Sequence, residues 1–135
     1  MKLLEYIAFQ TRNWAEKHGR SFPYNLCGMC AIASGELFLR LQRRGFSPIL
    51  VINKDFNHCF VECSGLKIDV TATQFNKSKV VIAKNINGSP WKTGRRYNSL
   101  ESFNDAIKSW PADQQFINYP KTSIKRTKNE SCAIN

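Results

Sequence analysis

The chain has 135 residues, 42% of them hydrophobic, and a formal net charge of +10 at pH 7. This length suits one domain with one core, and the hydrophobic content is too high for a disordered chain. No segment approaches the roughly 18 apolar residues of a membrane span, and Glu5 interrupts the N-terminal apolar stretch that a secretory signal would need. We therefore expect one globular unit in the cytosol, or one delivered into a target cell without such a signal.

Two helices are expected ahead of the strands. Apolar residues recur at helical spacing over residues 3–18 and again over 30–44, and each run is followed by a glycine that can end a helix. The second helix begins at Cys30, and its apolar face includes that cysteine. Its polar face carries a glutamate and several arginines, so we expect an amphipathic helix packed on the core.

Four strands are predicted after the two helices, because these segments have the residue composition of strands rather than of helices. They are expected at residues 48–53, 57–63, 66–71 and 79–83. Asn87-Gly88 marks a turn toward another short strand. Asn98 and Glu101 are spaced as a capping box for a third helix that ends near Pro111. The order predicts an α+β domain over residues 1–120 and a basic, flexible tail over 121–135.

Ser64-Gly65 is expected to be the two-residue turn of a β-hairpin, and this turn fixes which residues face each other. In that register one face collects six apolar residues: Cys59, Val61, Cys63, Leu66, Ile68 and Val70. The other face carries His58 and Asp69, diagonal neighbours at about 7 to 8 Å, within reach of an imidazole and a carboxylate. We expect Asp69 to orient His58. The alternative is a half-exposed face on which Asp69 is solvated and His58 is an ordinary polar residue.

Five cysteines make an odd number, which favours thiols, ligands or catalysts over a disulfide framework. Cys30 begins a helix, where unpaired amides and the helix dipole stabilise a thiolate. With His58 as general acid and base and Asp69 fixing its tautomer, the three form a complete acyl-transfer apparatus. The amide of Cys30 would help to stabilise the oxyanion, with Asn25 as the candidate second donor. Trp91 is the candidate wall of the substrate site.

The run GMCAIASGELFLRLQRRGF, then a strand, then HCFVE and KIDVTAT, resembles the catalytic core of the transglutaminase-like branch of papain-fold cysteine enzymes. In that family a Gly-x-Cys begins the central helix, a His-x-aromatic opens a strand, and an Asp on the next strand precedes a Thr by two residues. The matching residues, in chain order, are Gly28, Cys30, His58, Phe60, Asp69 and Thr71. Many members have Trp where this chain has Phe60.

This resemblance spans residues 25–75. It implies a papain-like core in which the catalytic helix packs on an antiparallel sheet. It also implies a thioester mechanism on peptide or side-chain amides, as in the small proteases, amidases, glutamine deamidases and transglutaminases of this fold. No metal or organic cofactor is implied.

The cysteines allow two other interpretations. Cys27-Gly-Met-Cys30 matches the CxxC motif of thiol-disulfide oxidoreductases, with Cys27 as the attacking thiol, although no apolar strand leads into it. A zinc site could combine that pair with Cys59 and Cys63. These two would lie about 13 Å apart along one strand, too far to share a zinc ion. We therefore expect Cys59 and Cys63 to be small buried apolar residues.

Basic residues are concentrated after the predicted catalytic core. Residues 1–69 contain nine basic and six acidic residues, net +3, and residues 70–135 contain eleven and four, net +7. This excess could attract an acidic protein, a nucleic acid or a membrane surface. The basic residues could equally form a simple solvated face. We favour a protein or peptide substrate, leave open whether it is acidic, and keep a nucleic-acid-binding module without catalysis as the non-enzymatic alternative.

Overall fold

The computed structural model describes residues 2–18, 26, 28–75 and 77–119. Asn25, Cys27 and the tail predicted over 121–135 lie outside these residues. Within the described part, no helix has the length and apolar character needed to cross a membrane.

In chain order, two α-helices precede the strands and a third follows them. The helices are α1 (Lys2–His18), α2 (Cys30–Arg43) and α3 (Leu100–Ala106). The strands are β1 (Ile49–Asn53), β2 (Cys59–Cys63), β3 (Leu66–Asp69), β4 (Val81–Ala83) and β5 (Thr93–Tyr97). Short 3-10 helices follow β3 (Ala72–Phe75) and β4 (Ser89–Trp91). The α+β class is confirmed, and so is the order of two helices ahead of the strands.

The strands form one antiparallel sheet in the order β4-β3-β2-β1-β5. In the β2–β3 hairpin, Val61 lies opposite Ile68. The turn residues Ser64 and Gly65 have φ of 54° and 77°, the left-handed conformation that a two-residue hairpin turn of this hand requires. The predicted register is therefore confirmed.

Both faces of the sheet are covered. On one face α2 packs against β1 and β2, α1 packs on α2, and the main core includes Cys59, Val61 and Ile68. On the other face Phe60 and Trp91 belong to a second, smaller core. His58 is 0% exposed and Asp69 is 2% exposed. The interpretation of these two as solvated residues on a half-exposed face is therefore wrong.

The third helix differs from its prediction at both ends. Its N-cap is Ser99, whose hydroxyl accepts a hydrogen bond from the Ser102 amide at 3.2 Å, so the capping box assigned to Asn98 is wrong. Ser99 has the extended backbone of an N-cap and a side chain of the preferred type, which places the helix start one residue later. The helix ends at Ala106 rather than near Pro111, because residues 107–110 form turns.

Candidate active site

Cys30 is the first residue of α2 and follows a tight turn. The Met29 amide donates to the Leu26 carbonyl at 2.9 Å, and Gly28 has φ of 80°, which glycine adopts without steric cost. The first amides of an α-helix have no acceptor within the helix and form the positive end of its dipole. Cys30, which is 1% exposed, therefore lies where a negative charge is stabilised.

Asn53, the last residue of β1, positions His58, which directly precedes β2. The side-chain oxygen of Asn53 accepts hydrogen bonds from the amides of Asn57 and His58, at 2.9 and 3.0 Å. Its amide group donates to the side-chain oxygen of Asn57 at 2.7 Å. The Asn53 backbone amide also donates to the His58 carbonyl at 2.9 Å. One asparagine therefore fixes the turn and both backbone polar groups of His58.

The carboxylate of Asp69 accepts four hydrogen bonds. Its Oδ2 accepts from Nε2 of His58 at 2.7 Å and from Nε1 of Trp91 at 2.6 Å. Its Oδ1 accepts from the Thr71 amide at 2.8 Å and from the Thr71 hydroxyl at 3.0 Å. A buried carboxylate is stable only when its oxygens are satisfied in this way. The geometry therefore suits an ionised Asp69.

The segment after Asp69 is held from two sides. Gln74 donates to both the carbonyl and the hydroxyl oxygen of Thr71, at 3.1 Å each. Arg12 of α1, which is buried, donates from Nη1 to three oxygens beyond Asp69: Val70 O, Thr73 Oγ1 and Lys79 O. This bracing connects the first helix to the strand end that carries the carboxylate.

Aromatic rings enclose the imidazole of His58. Phe75 meets it edge to face with ring centroids 4.8 Å apart, and Trp91 does so at 6.5 Å. Phe75 and Trp91 also contact each other edge to face, at 5.4 Å. Such an enclosure excludes water and strengthens the electrostatic interactions between His58 and Asp69.

Cys59 lies beside Cys30 at the start of β2. Its thiol and its backbone amide both lower the pKa of Cys30, so the two cysteines lie close enough to interact. Ser34, one turn along α2, has its hydroxyl 3.5 Å from the Cys59 carbonyl oxygen and 3.9 Å from the Cys59 sulfur. Cys59 is buried, as predicted, but its contact with Cys30 was not predicted.

The environment of Cys30 favours its thiolate. The hydrogen bond from the Cys59 thiol lowers the pKa of Cys30, burial raises it, and the hydrogen bond and charge of His58 lower it further, to about 5. Burial alone would lower the pKa of His58, but the charge and hydrogen bond of Asp69, together with Cys30, raise it to about 10. Burial likewise raises the pKa of Asp69, yet His58, Trp91 and Thr71 hold it below its usual value. The directions of these shifts favour a thiolate on Cys30 and an imidazolium on His58.

The hydrogen bond to Asp69 decides which nitrogen of His58 faces the chemistry. Nε2 is bonded to the carboxylate, so Nδ1 is the nitrogen left for Cys30. Nδ1 is buried and makes no hydrogen bond of ordinary geometry within the described residues. The Cys30 sulfur is close enough for its negative charge and the positive charge of the ring to stabilise each other. Hydrogen bonds between nucleophile and base are often loose before substrate binds.

No protein-family model, curated protein or solved structure matches this chain. The resemblance to transglutaminase-like enzymes therefore rests on the ordered motif. Chemically, the arrangement joins a stabilised thiolate to an imidazolium whose far nitrogen is held by a carboxylate. Such a set can form a thioester and resolve it.

The structure brings together the three residues predicted as catalytic, Cys30, His58 and Asp69. Trp91 lies behind Asp69 and is 2% exposed, so its observed contact is with the carboxylate, and its predicted contact with substrate stays a prediction. Asn25, the predicted second oxyanion donor, lies outside the described residues. In the part of the chain that the structure describes, no group of three or more potential ligands is placed to hold a metal ion.

Three supporting residues were missed by the sequence analysis, and each left a signal. Arg12 interrupts the apolar stripe of α1, three or four residues from Ala8 and Ala15, where a cation needs buried acceptors. Asn53 ends an apolar strand four residues before a second asparagine. Cys59 directly follows His58 and points to the face on which α2 packs.

Proposed function

We propose that this chain is a cysteine-dependent acyl-transfer enzyme with a papain-like arrangement of Cys30, His58 and Asp69, acting on peptide or side-chain amides. One observation carries the proposal: His58 is bonded through Nε2 to a fully satisfied carboxylate, which leaves Nδ1 for the thiolate at the start of α2. The mechanism needs reduced thiols, so we expect it to operate in a reducing compartment such as the cytosol.

In the first half-reaction the Cys30 thiolate attacks the carbonyl carbon of an amide. The negative charge moves to the carbonyl oxygen, where the free amides at the start of α2 stabilise it. The C–N bond then breaks, and Nδ1 of the His58 imidazolium gives its proton to the departing amine. The products are a thioester on Cys30, a free amine or ammonia, and a neutral imidazole.

In the second half-reaction water or a second amine attacks the thioester carbon. The neutral imidazole takes a proton from this attacking group. The C–S bond breaks, the acyl group leaves with the new acceptor, and Cys30 returns to its thiolate. Asp69 keeps Nε2 protonated throughout, so that Nδ1 handles the transferred proton in both steps. The acceptor decides whether the reaction is hydrolysis, deamidation or transamidation.

The pH dependence follows from the two pKa shifts. Activity needs Cys30 deprotonated, so it falls as the pH drops through the Cys30 pKa of about 5. Activity also needs His58 protonated to expel the amine, so it falls as the pH rises through the His58 pKa of about 10. We therefore expect a broad bell-shaped profile of kcat/KM between these limits.

The test uses p-nitrophenyl acetate, an activated acyl donor that does not depend on the natural substrate. We expect a burst of p-nitrophenol, an acetyl group on the peptide that contains Cys30, and its release by neutral hydroxylamine, as a thioester requires. His58→Ala should slow acetylation at pH 6 by on the order of 10-fold or more, because Cys30 loses the imidazolium that holds its pKa low. Cys63→Ser should react as the native chain does, because Cys63 lies at the far end of β2.

Cys27→Ser separates the oxidoreductase alternative, because a CxxC enzyme would lose its attacking thiol whereas an acyl-transfer enzyme keeps Cys30. Acetylation confined to lysines or to Cys63, or an unchanged rate in His58→Ala, would contradict the proposed mechanism.

A further inference from the structure

A pocket of about 470 Å³ opens between the β1–β2 turn, β5 and α3. Its apolar side is formed by Ile52, Phe56 and Tyr97, and its charged side by Lys54 and Arg95. We call these five residues the β5 pocket. Its volume falls within the range of pockets that bind small ligands or side chains, and its mixture of aromatic and cationic groups suits an amphipathic anion.

Phe56 is held in the pocket at a conformational cost. It has φ of 57°, which is unusual for a bulky residue, and its side chain is 45% exposed. Its ring meets Trp110 edge to face, with centroids 5.6 Å apart. Because Phe56 is largely exposed, burial of its side chain contributes little free energy to offset this backbone strain. Strain of this kind is concentrated at ligand-binding positions.

The two cations of the pocket differ from the neighbouring Arg96 in their pairing. Among the described residues, no carboxylate forms an ion pair with Lys54 or Arg95, whereas Arg96 of the same strand pairs with Glu62 at 2.7 Å. Successive residues of a strand point to opposite faces, so Arg95 lies on the pocket side and Arg96 on the other. Within the described part of the chain, the pocket therefore presents two cations without an ion pair beside an apolar wall.

The pocket lies on the same face of the sheet as the thiol. The register places Arg95 opposite Ile52, and Ile52 opposite Cys59, which contacts Cys30. Three neighbouring strands put Arg95 about 10 Å from Cys59 at ~4.8 Å per strand.

We propose that the β5 pocket binds an acidic segment of the polypeptide substrate, with carboxylates on Lys54 and Arg95 and an adjacent apolar side chain on Phe56 and Tyr97. This inference rests on the proposed function and names its substrate class. Among the described residues β5 is the edge strand of the sheet, so an extended segment can also pair with it.

The experiment measures binding in the full chain carrying Cys30→Ser, so that binding does not depend on thioester formation. The probes are fluorescein-labelled peptides of alternating glutamate and leucine or of alternating glutamine and leucine, titrated by fluorescence anisotropy at low salt. We expect the glutamate peptide to bind more tightly. Arg95→Gln should weaken its binding about five- to ten-fold, the loss of one charge-assisted hydrogen bond. Arg96→Gln, which removes the same charge on the opposite face, should leave binding within about two-fold.

Phe56→Asn tests the apolar side, because asparagine accepts a positive φ more readily than phenylalanine. We expect this variant to keep the melting temperature within a few degrees and to lose affinity for the glutamate peptide. A fall in melting temperature with unchanged affinity would assign Phe56 a structural role and overturn its part in the pocket.

Three outcomes would overturn the inference. One is no binding of the glutamate peptide. Another is an equal loss in Arg95→Gln and Arg96→Gln, which would indicate a diffuse charge field. A third is tighter binding of a fluorescein-labelled oligouridylate of equal charge, weakened by Arg95→Gln, which would indicate a nucleic-acid surface. Peptide binding without thioester formation in the native chain would instead refute the proposed function and leave a peptide-binding pocket.

Discussion

Asp69→Asn is the most informative substitution because donors surround both oxygens of the carboxylate. An asparagine has one accepting oxygen and one amino group, whereas Nε1 of Trp91 and the amide of Thr71 can only donate. Whichever way the new amide is turned, its amino group faces a donor. With the oxygen toward Thr71, His58 must accept at Nε2 and carry its proton on Nδ1, where it can no longer take a proton from Cys30.

The expected magnitudes follow from this mismatch. One buried donor left unpaired costs about 1–3 kcal/mol, and we expect the free energy of unfolding to fall by that amount. The pKa of Cys30 should rise from about 5 toward the ~8.5 of an ordinary thiol. At pH 6 the native thiol is roughly 90% ionised, and a thiol with a pKa of about 8 is roughly 1% ionised, so alkylation should slow by at least ~10-fold.

The assay is the rate of alkylation by iodoacetamide as a function of pH, followed by peptide mapping. The midpoint of the profile is compared rather than the absolute rate, because Cys30 is buried and access to it scales all points equally. Cys59 and Cys63 in the same digest are internal controls, since burial raises the pKa of both. Asp105→Asn is the matched control, because Asp105 is exposed and makes only a surface ion pair.

An unchanged midpoint for Cys30 in an Asp69→Asn protein with native circular dichroism would refute the reasoning. If the variant unfolds, rapid labelling of Cys59 and Cys63 reveals it. Trp91→Phe then provides the test, because it removes one donor to Asp69 and keeps the aromatic enclosure. Asp69 keeps its charge and its hydrogen bond with His58 in this variant, so the Cys30 midpoint should not rise, and a rise would contradict the reasoning.

Three further predictions concern neighbouring positions. Cys59→Ala should raise the alkylation midpoint of Cys30, because the thiol of Cys59 makes the largest contribution to its lowered pKa; an unmoved midpoint would exclude that hydrogen bond. Gly94→Ala should lower the free energy of unfolding in urea by about 1–3 kcal/mol, since its Cβ would lie 2.6 Å from the Asn53 carbonyl oxygen. A decrease of less than half of that amount would mean that β1 and β5 move apart easily at this point. Ser64→Asn should stabilise the fold by up to about 1 kcal/mol, since asparagine accepts the φ of 54° more readily, and a loss of stability would contradict the assigned turn.

The parts that the sequence predicted are those determined by short-range patterns. The alternation around Ser64-Gly65 was enough to assign the register and to place His58 and Asp69 on one face, because a two-residue turn leaves little freedom. The helical spacing after Cys30 was enough to place that cysteine at a helix start. Both inferences use residues close together in the chain.

The parts that the sequence did not predict depend on contacts between distant segments. Trp91 reaches Asp69 across 22 residues, and Arg12 reaches Val70 across 58. No local pattern encodes such pairings, although a buried carboxylate and a buried guanidinium each demand partners. The predicted N-cap of α3 was wrong for a different reason. Asn98 and Ser99 are both good N-cap residues, so composition alone could not choose between them.

The hairpin turn at Ser64-Gly65 has a consequence for how the molecule acquires its chemistry. The base and its carboxylate are separated by only 11 residues, so their pairing requires closure of one small loop. Such hairpins close within about 1–10 μs, far sooner than the long-range contacts that bring α2 onto the sheet. We expect the proton-handling half of the apparatus to assemble early in folding and the nucleophile to join it late, so that a reactive thiolate exists only once the chain has reached its native topology.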